Sequence, residues 1–266
     1  MESGGYRISG DTEIASKEHE RLRYMGALLD PGTRRHIDAL GIAPGWRCLE
    51  VGAGAGTVSS WLGQRVGLGG EVLSIDLDLR FHVEVEPPVE IRQADLMQDP
   101  LPGSRFDLAH ARAVVEHLPD KRGALERMLA ALKPGGWLVI EDSDFVTLDG
   151  APLPEPFKTL HELTTREGLR RRPWWDRRYG AKLLPEFQAL GLEAVDAEGA
   201  FWTMVGGTPS AESYVLALEH SAGALVDGGL IERETVAAAL AQARQSDFLI
   251  ASPLHAIAWG RKPTLI

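Results

Sequence analysis

Cysteine is nearly absent: Cys48 is the only one in 266 residues. No internal disulfide can form, so a reducing compartment is expected. No stretch approaches the ~18 consecutive apolar residues of a membrane-spanning helix, and no apolar segment follows a basic start. Export and membrane insertion are therefore not expected, and a cytoplasmic location is. Positive charge is in deficit, with 28 Lys and Arg against 38 Asp and Glu for a formal net charge of −10. Such a field repels phosphate backbones and anionic lipid, which disfavours nucleic acid and membrane as partners. Internal repeats and low-complexity tracts are missing too. What remains is 44% apolar and 25% charged, the balance of a globular protein. One large α/β domain with insertions can bury its core at this length without staples.

Residues 1–15 are polar and Gly-rich, and loose order is expected there. From Ser16, the placement of Leu22, Met25 and Leu29 predicts a helix. Asp30-Pro31 reads as an N-cap followed by Pro at a first helical position, opening a shorter second helix that turns Ile37 and Leu40 inward and stops at Gly41. Short apolar runs follow at 48–51, 72–75, 89–93, 106–110 and 137–140. Helical patterns lie after the first run, with Val58, Trp61 and Leu62 on one stripe, and over 120–132; residues 81–88 carry no helix signal. Alternating strands and helices predict a parallel sheet covered on both faces. In such sheets ligands bind beyond the carboxyl ends of the strands.

Past residue 143 the pattern loosens. Residues 151–178 are rich in Pro, Arg and Trp and read as irregular; 183–190 read as a helix ended by Gly191. Strands are predicted over 193–205 and 247–259, with helices over 211–225 and 232–243 between them. That order suggests an antiparallel edge pair with a lid inserted.

The most informative segment is Glu50-Val51-Gly52-Ala53-Gly54-Ala55-Gly56. Glycines at a strand-to-helix turn let the backbone approach a ligand, and the helix behind them offers free N–H groups. A dinucleotide loop would place its third glycine at 57, which is Thr57. The pattern here instead resembles the first motif of the class I S-adenosylmethionine-dependent methyltransferases. The resemblance covers about residues 46–142. It implies that Glu50, Gly52, Ala53, Gly54 and Gly56 form the turn receiving the methionine part of S-adenosyl-L-methionine. It implies that Asp76, with Leu77 beside it, binds the ribose hydroxyls, a task suited to an acceptor-only carboxylate. Asp95 would accept from the adenine amino group while Leu96 packs on the ring, and Ala111 and Arg112 would line the cofactor. Leu132-Lys133-Pro134-Gly135-Gly136 matches the turn before the fifth strand, and Glu116-His117-Leu118 matches small-molecule members.

The implied fold is α/β: a seven-stranded, mostly parallel sheet with helices on both faces, a helical N-terminal segment and a lid before the last strand. Residues 1–266 are expected to form one domain, with a helical cover over 1–45, a cofactor-binding core over 46–142 and acceptor-side insertions over 143–266. The implied reaction is methyl transfer by in-line displacement, in which the protein supplies proximity and alignment.

A base is needed only if the acceptor keeps a proton. His117 is the first candidate; its other reading is a residue at a helix start that bonds backbone or cofactor. Tyr24 either bonds the cofactor carboxylate or is a packing aromatic. Glu141, Asp142 and Asp144 form an acidic cluster, read as acceptor contact or solvation rather than a metal site. His161, His220 and His255 lack metal spacing, and no metal is expected. Arg166, Arg170, Arg171, Arg172, Arg177 and Arg178 read as a solvated loop salt-bridged to the acidic surface, or as a clamp for an anionic or aromatic acceptor. Phe145, Phe157, Trp174, Trp175, Phe201, Trp202, Met204 and Tyr214 suit an apolar or aromatic small-molecule acceptor of natural-product type. Two other readings stay open: a protein that holds the sulfonium without methylating, for example in a cyclisation, and an NAD(P)-dependent oxidoreductase. Pairing into a homodimer also stays open.

Overall fold

The computed structural model describes residues 12–82 and 84–264. The first half runs α1 (Thr12–Ala39), β1 (Arg47–Val51), α2 (Thr57–Val66), β2 (Glu71–Asp76), β3 (Val89–Gln93), β4 (Phe106–Arg112), α3 (Lys121–Ala131) and β5 (Leu132–Asp144). The second half runs α4 (Val146–Asp149), α5 (Phe157–Arg171), α6 (Leu183–Ala189), β6 (Glu193–Ala200), β7 (Thr203–Val205), α7 (Pro209–Asp227), α8 (Arg233–Ala243), β8 (Leu249–Ala251) and β9 (Leu254–Arg261). The main sheet has seven strands in the order β3-β2-β1-β4-β5-β9-β6. Only β9 runs antiparallel to its neighbours. The expected sheet is thus the one observed.

Alternation along the strands builds two cores. Leu49, Leu73, Ala109, Leu138 and Ala258 join α3 and α6 on one face, packing against Leu125, Met128 and Phe187. Cys48, Val72, Leu108, Val139 and Ile257 join α1 and α2 on the other, against Ile37, Trp61 and Leu62. Helix α3 starts where Asp120 accepts a hydrogen bond from the Gly123 amide at 2.8 Å, and its buried Ala124, Leu125, Met128 and Ala131 share one stripe. Asp120→Ala is expected to lower stability by about 1 kcal/mol. Urea unfolding checks this, and an unchanged midpoint would show that the cap contributes nothing.

Four expectations on chain organisation are corrected. Asp30-Pro31 starts no new helix, because Pro31 lies inside the continuous 28-residue α1. Asp30 cannot cap, since its carboxylate accepts from Arg112 at 2.9 Å, Thr57 at 3.1 Å and Arg34 at 3.0 Å. The first of these is a buried ion pair tying α1 to the end of β4, and it holds the helix through the proline. The strands predicted over 193–205 and 247–259 are each broken in two, and β7 and β8 form a separate two-stranded sheet. The breaks sit side by side: the Trp202 amide donates to Ser252 Oγ at 3.0 Å, and the Ser252 amide donates to the Trp202 carbonyl at 2.9 Å. Residues 157–171 are helical rather than irregular. Phe157, Leu160 and His161 form the buried stripe, while Glu155 accepts from the Thr159 hydroxyl at 2.7 Å ahead of the first turn. Finally, loose order was expected over residues 1–15, yet 12–15 already belong to α1; residues 1–11 lie outside the described ones.

Between β7 and β8 the chain forms α7 and α8, the expected lid. Together with α5 they own a third apolar core, which includes Phe157, Leu160, Val215, Leu218, Ala239 and Phe248. The lid also packs on α1. These helices therefore roof the carboxyl edge of the sheet.

Candidate active site

Strand order reverses between β1 and β4, and at that edge a cavity of about 560 Å³ opens. Its floor is the set of strand ends. Gly52 and Gly54 have positive φ of 75° and 52°, which turns the chain without side chains in the way. The Gly54 amide donates to Asp76 at 2.9 Å and the Asp78 amide donates to its other oxygen at 3.0 Å. Asp76 is thereby fixed beside the turn, with lone pairs left for a ligand. Asp95 is held likewise, accepting from the Met97 amide at 2.8 Å. Asp76, Leu77, Asp95, Leu96 and Arg112 all line the cavity. From α1, Glu18, Arg21, Leu22, Met25 and Leu29 face it at helical spacing.

Several expected site residues lie elsewhere. Tyr24 is absent from the cavity wall; one position off the facing stripe, it donates to Glu20 at 3.0 Å. Ala53 and Gly56 shape the turn from behind, and Gly56 sits under the His82 ring. Ala111 points into the core on the far face, because strand alternation turns only Arg112 toward the cavity. Alternation likewise buries Asp142 completely, with one oxygen accepting from the Glu116 amide at 3.2 Å. Trp174 lies off the wall, its carbonyl accepting from Lys121 at 2.6 Å. Glu50 is sealed beneath the turn at 2% exposure. The acidic run at the end of β5 does not converge: Asp144 accepts from the Val146 amide at 2.8 Å, while Glu141 faces His110 and His255.

The second half of the cavity is apolar and aromatic. Phe145, Trp175, Trp202, Met204 and Tyr214 line it. Trp175 stacks on His117 with ring centroids 5.9 Å apart and meets Phe145 edge-on at 6.0 Å. Phe157 instead fills the lid core, and Phe201 is 60% exposed. The basic stretch is solvated and salt-bridged, as expected, though Arg166, Arg170 and Arg171 sit on α5 rather than on a loop, and it forms no joint clamp. Arg170 and Arg171 bond Glu167 at 2.7 and 2.6 Å, and Arg177 forks onto Asp149 at 2.8 Å. Only Arg171 and Arg172 reach the wall.

His117 stands where the two halves meet, its Nε2 3.1 Å from Glu116. Burial pushes its pKa down to about 3, helped by the positive charges of Arg172, Arg21 and Lys121. Glu116 also reaches the wall. Burial pushes its carboxyl up to about 7, against a hydrogen bond from the Ser143 amide. From the sequence Glu116 is only part of a motif, Ser143 carries no signal and His255 reads as a non-ligand, yet Ser143 and His255 also line the cavity. The signal for His255 was available in outline, since a strand predicted to pair with β5 must bring its early residues to this edge.

A mostly parallel sheet with a reversed last strand and a glycine turn at the switch point defines a nucleotide-binding α/β protein. Residues 16–195 match a family model described as a methyltransferase domain. The chain belongs to that family, the class I S-adenosylmethionine-dependent methyltransferases. Methyltransferase str2 of Strobilurus tenacellus is 35% identical over 40% of this chain and 40% of its own length. The chain thus spans less than half of that relative. Among solved structures, the YcgJ protein of Bacillus subtilis superposes with a TM-score of 0.55 at 19% identity, over 92% of this chain and 99% of that one. The [4+2]-cyclase SpnF does so with a TM-score of 0.52 at 18% identity, over 84% and 77%. Both show the fold alone.

Proposed function

We propose that this protein binds S-adenosyl-L-methionine along the glycine turn and the ends of β1, β2 and β3, and methylates a small apolar or aromatic metabolite held under the lid. The observation that carries this reading is one continuous cavity. It joins the Gly52–Gly54 turn, Asp76 and Asp95 to the aromatic chamber at Phe145, Trp175 and Trp202. The residues present fit the cofactor, because the turn leaves backbone at the wall and both carboxylates are fixed there by amide donors. When bound, the cofactor supplies a methyl group on a positively charged sulfur.

The chain's own contribution is alignment and exclusion of water. Helices α1, α5 and α7 roof the cavity, and the aromatic walls hold a flat acceptor. Residues 1–266 act as one unit in this reading: α1 covers the donor end, the strands position the carboxylates, and the lid shapes the acceptor chamber. Among the described residues no helix is long and apolar enough to cross a membrane, and none of the groupings of His, Cys, Asp and Glu would hold a metal ion. The acceptor in this reading is a small molecule.

The low pKa of His117 keeps its imidazole neutral at neutral pH but makes it a poor proton acceptor. We assign it to orientation at the junction rather than to base catalysis. Calorimetry with S-adenosylhomocysteine tests the cofactor half: binding is expected, and no heat on folded protein, with binding of a nicotinamide nucleotide instead, would overturn the reading. For an acceptor found to turn over, His117→Ala is expected to lower the rate about tenfold, the worth of one hydrogen bond. A loss of ~10²–10⁴-fold would restore His117 as the base.

A further inference from the structure

A row of ionisable side chains crosses the sheet just beneath the cavity. Glu50 of β1 and His110 of β4 meet at 2.6 Å, His110 and Glu141 of β5 at 3.0 Å, and Glu141 and His255 of β9 at 2.7 Å. Each carboxylate oxygen in these contacts faces a different nitrogen: Glu141 receives His110 on Oε1 and His255 on Oε2. The first three are sealed, at 2% exposure or less. His255 differs: its side chain is 12% exposed, and it lines the acceptor half of the cavity with Ser143, Phe145 and Pro253. The row therefore begins in the core and ends at the place where an acceptor would lie.

We infer that His255 is the base that takes the acceptor's proton, and that Glu141, braced by His110 and Glu50, is the positioning residue that makes it so. This rests on the methyl-transfer reading above. Glu141 is an acceptor, so His255 must carry its proton on Nε2, the nitrogen facing it. The tautomer is thereby fixed, and Nδ1 is left as the ring nitrogen with a lone pair to take a proton. His110, between two carboxylates, holds both ring protons. Two carboxylates and one imidazolium leave one uncompensated negative charge in the dry row, and a proton arriving on His255 balances it. The same arrangement of a base, an orienting carboxylate and a fixed tautomer recurs wherever a histidine must take a proton reproducibly.

The step balances in atoms and electrons. The acceptor's X–H bond breaks, its proton goes to His255 Nδ1, and its electron pair forms the bond to the methyl carbon. The methyl–sulfur pair returns to sulfur, which becomes a neutral thioether.

Other charged groups near β9 are already paired. On the same face these are Glu198 of β6 with His36 of α1 at 3.2 Å, and Arg112 of β4 with Asp30 of α1 at 2.9 Å. At the α4 end, Asp149 is forked by Arg177. Lys182 and Glu186 lie with α6 under the opposite face, Lys182 bonded to Asp176 at 2.5 Å.

Two measurements test the assignment. The first needs no acceptor. In protein labelled with ¹⁵N-histidine, long-range proton–nitrogen correlation should show His255 protonated on Nε2 and bare on Nδ1, and His110 protonated on both nitrogens. Glu141→Gln should mix the His255 tautomers. A His255 protonated on Nδ1 in the native protein would overturn the proposal.

The second uses S-adenosylmethionine labelled in its methyl group with a panel of phenols, amines and carboxylic acids. For an acceptor that turns over, His255→Asn should cut kcat ~10²–10⁴-fold while the affinity for S-adenosylhomocysteine holds. With a phenol, the residual rate should climb tenfold per pH unit as the phenol ionises unaided. A His255→Asn variant with the native rate and pH profile would overturn the proposal. Absence of S-adenosylhomocysteine binding would remove the methyl-transfer reading instead, with the tautomer result standing apart from it.

Discussion

Raising the pH from 6.5 to about 9 is expected to remove about 3 kcal/mol of folding stability through one buried imidazole, that of His110. Burial alone would push its pKa down. The Glu50 charge and the hydrogen bonds to Glu141 and Glu50 outweigh burial and raise the pKa from 6.5 to about 9. The folded-state pKa thus lies above the unfolded one, so the stabilisation is complete below 6.5 and lost as the pH passes 9. The buried carboxyls of Glu116 and Asp142 are held up by burial. They also lose stability as pH rises, but from the ordinary carboxylate range near 4 upward. The difference between wild type and His110→Gln isolates the imidazole. That variant should already be about 3–5 kcal/mol less stable at pH 6, because two carboxylates lose their buried cation. Its additional loss between pH 6.5 and 9 should vanish. Urea denaturation at a series of pH values measures both. Parallel curves for the two proteins would show that His110 is not the titrating group.

The row containing His110 also shows where sequence reading stops. Strand identity, the sheet and the residues at the cavity floor were legible, because local signals carry them: short apolar runs, glycines at a turn, and carboxylates at strand ends. Asp76, Leu77, Asp95 and Leu96 accordingly all reach the cavity. The misplacements at Ala111 and Asp142 share one cause. A strand end presents alternate residues to opposite faces, and choosing between neighbours requires the register. Tyr24 lies off the cavity wall through the equivalent rotation about a helix. Asp30-Pro31 failed as a helix start because a tertiary ion pair, Arg112 with Asp30, occupies the would-be cap. His255 lies 114 residues from Glu141 in sequence. Only the antiparallel pairing of β9 with β5, after the whole lid has been traversed, brings them together. Aromatic residues after β5 were legible as cavity candidates, but the sequence alone does not tell Trp175, which reaches the wall, from Trp174, which does not.

Gly52→Ala is expected to weaken S-adenosylhomocysteine binding at least about 100-fold, equivalent to roughly 2.7 kcal/mol, while leaving the fold in place. Gly52 has φ +75°, and a methyl group there would lie 2.1 Å from Val114 Cγ2. Neither partner can yield cheaply. The Gly52 amide is pinned to the Ile75 carbonyl at 2.9 Å, so the turn cannot flatten without breaking its tie to β2. The backbone region costs an ordinary residue of order 1–3 kcal/mol. Val114 is β-branched and stiff at χ1, and it forms the wall next to His117. Relief must therefore come from displacing either the turn that faces the donor or the segment that carries His117, and both movements deform the same cavity. Gly223 in α7 provides the contrast. It has open space around it, and Gly223→Ala should keep full affinity and gain up to about 1 kcal/mol of stability from helix propensity. Calorimetric titration of both variants, with circular dichroism to confirm folding, decides the matter. If folded Gly52→Ala binds S-adenosylhomocysteine as tightly as the native protein does, the donor does not lie against this turn.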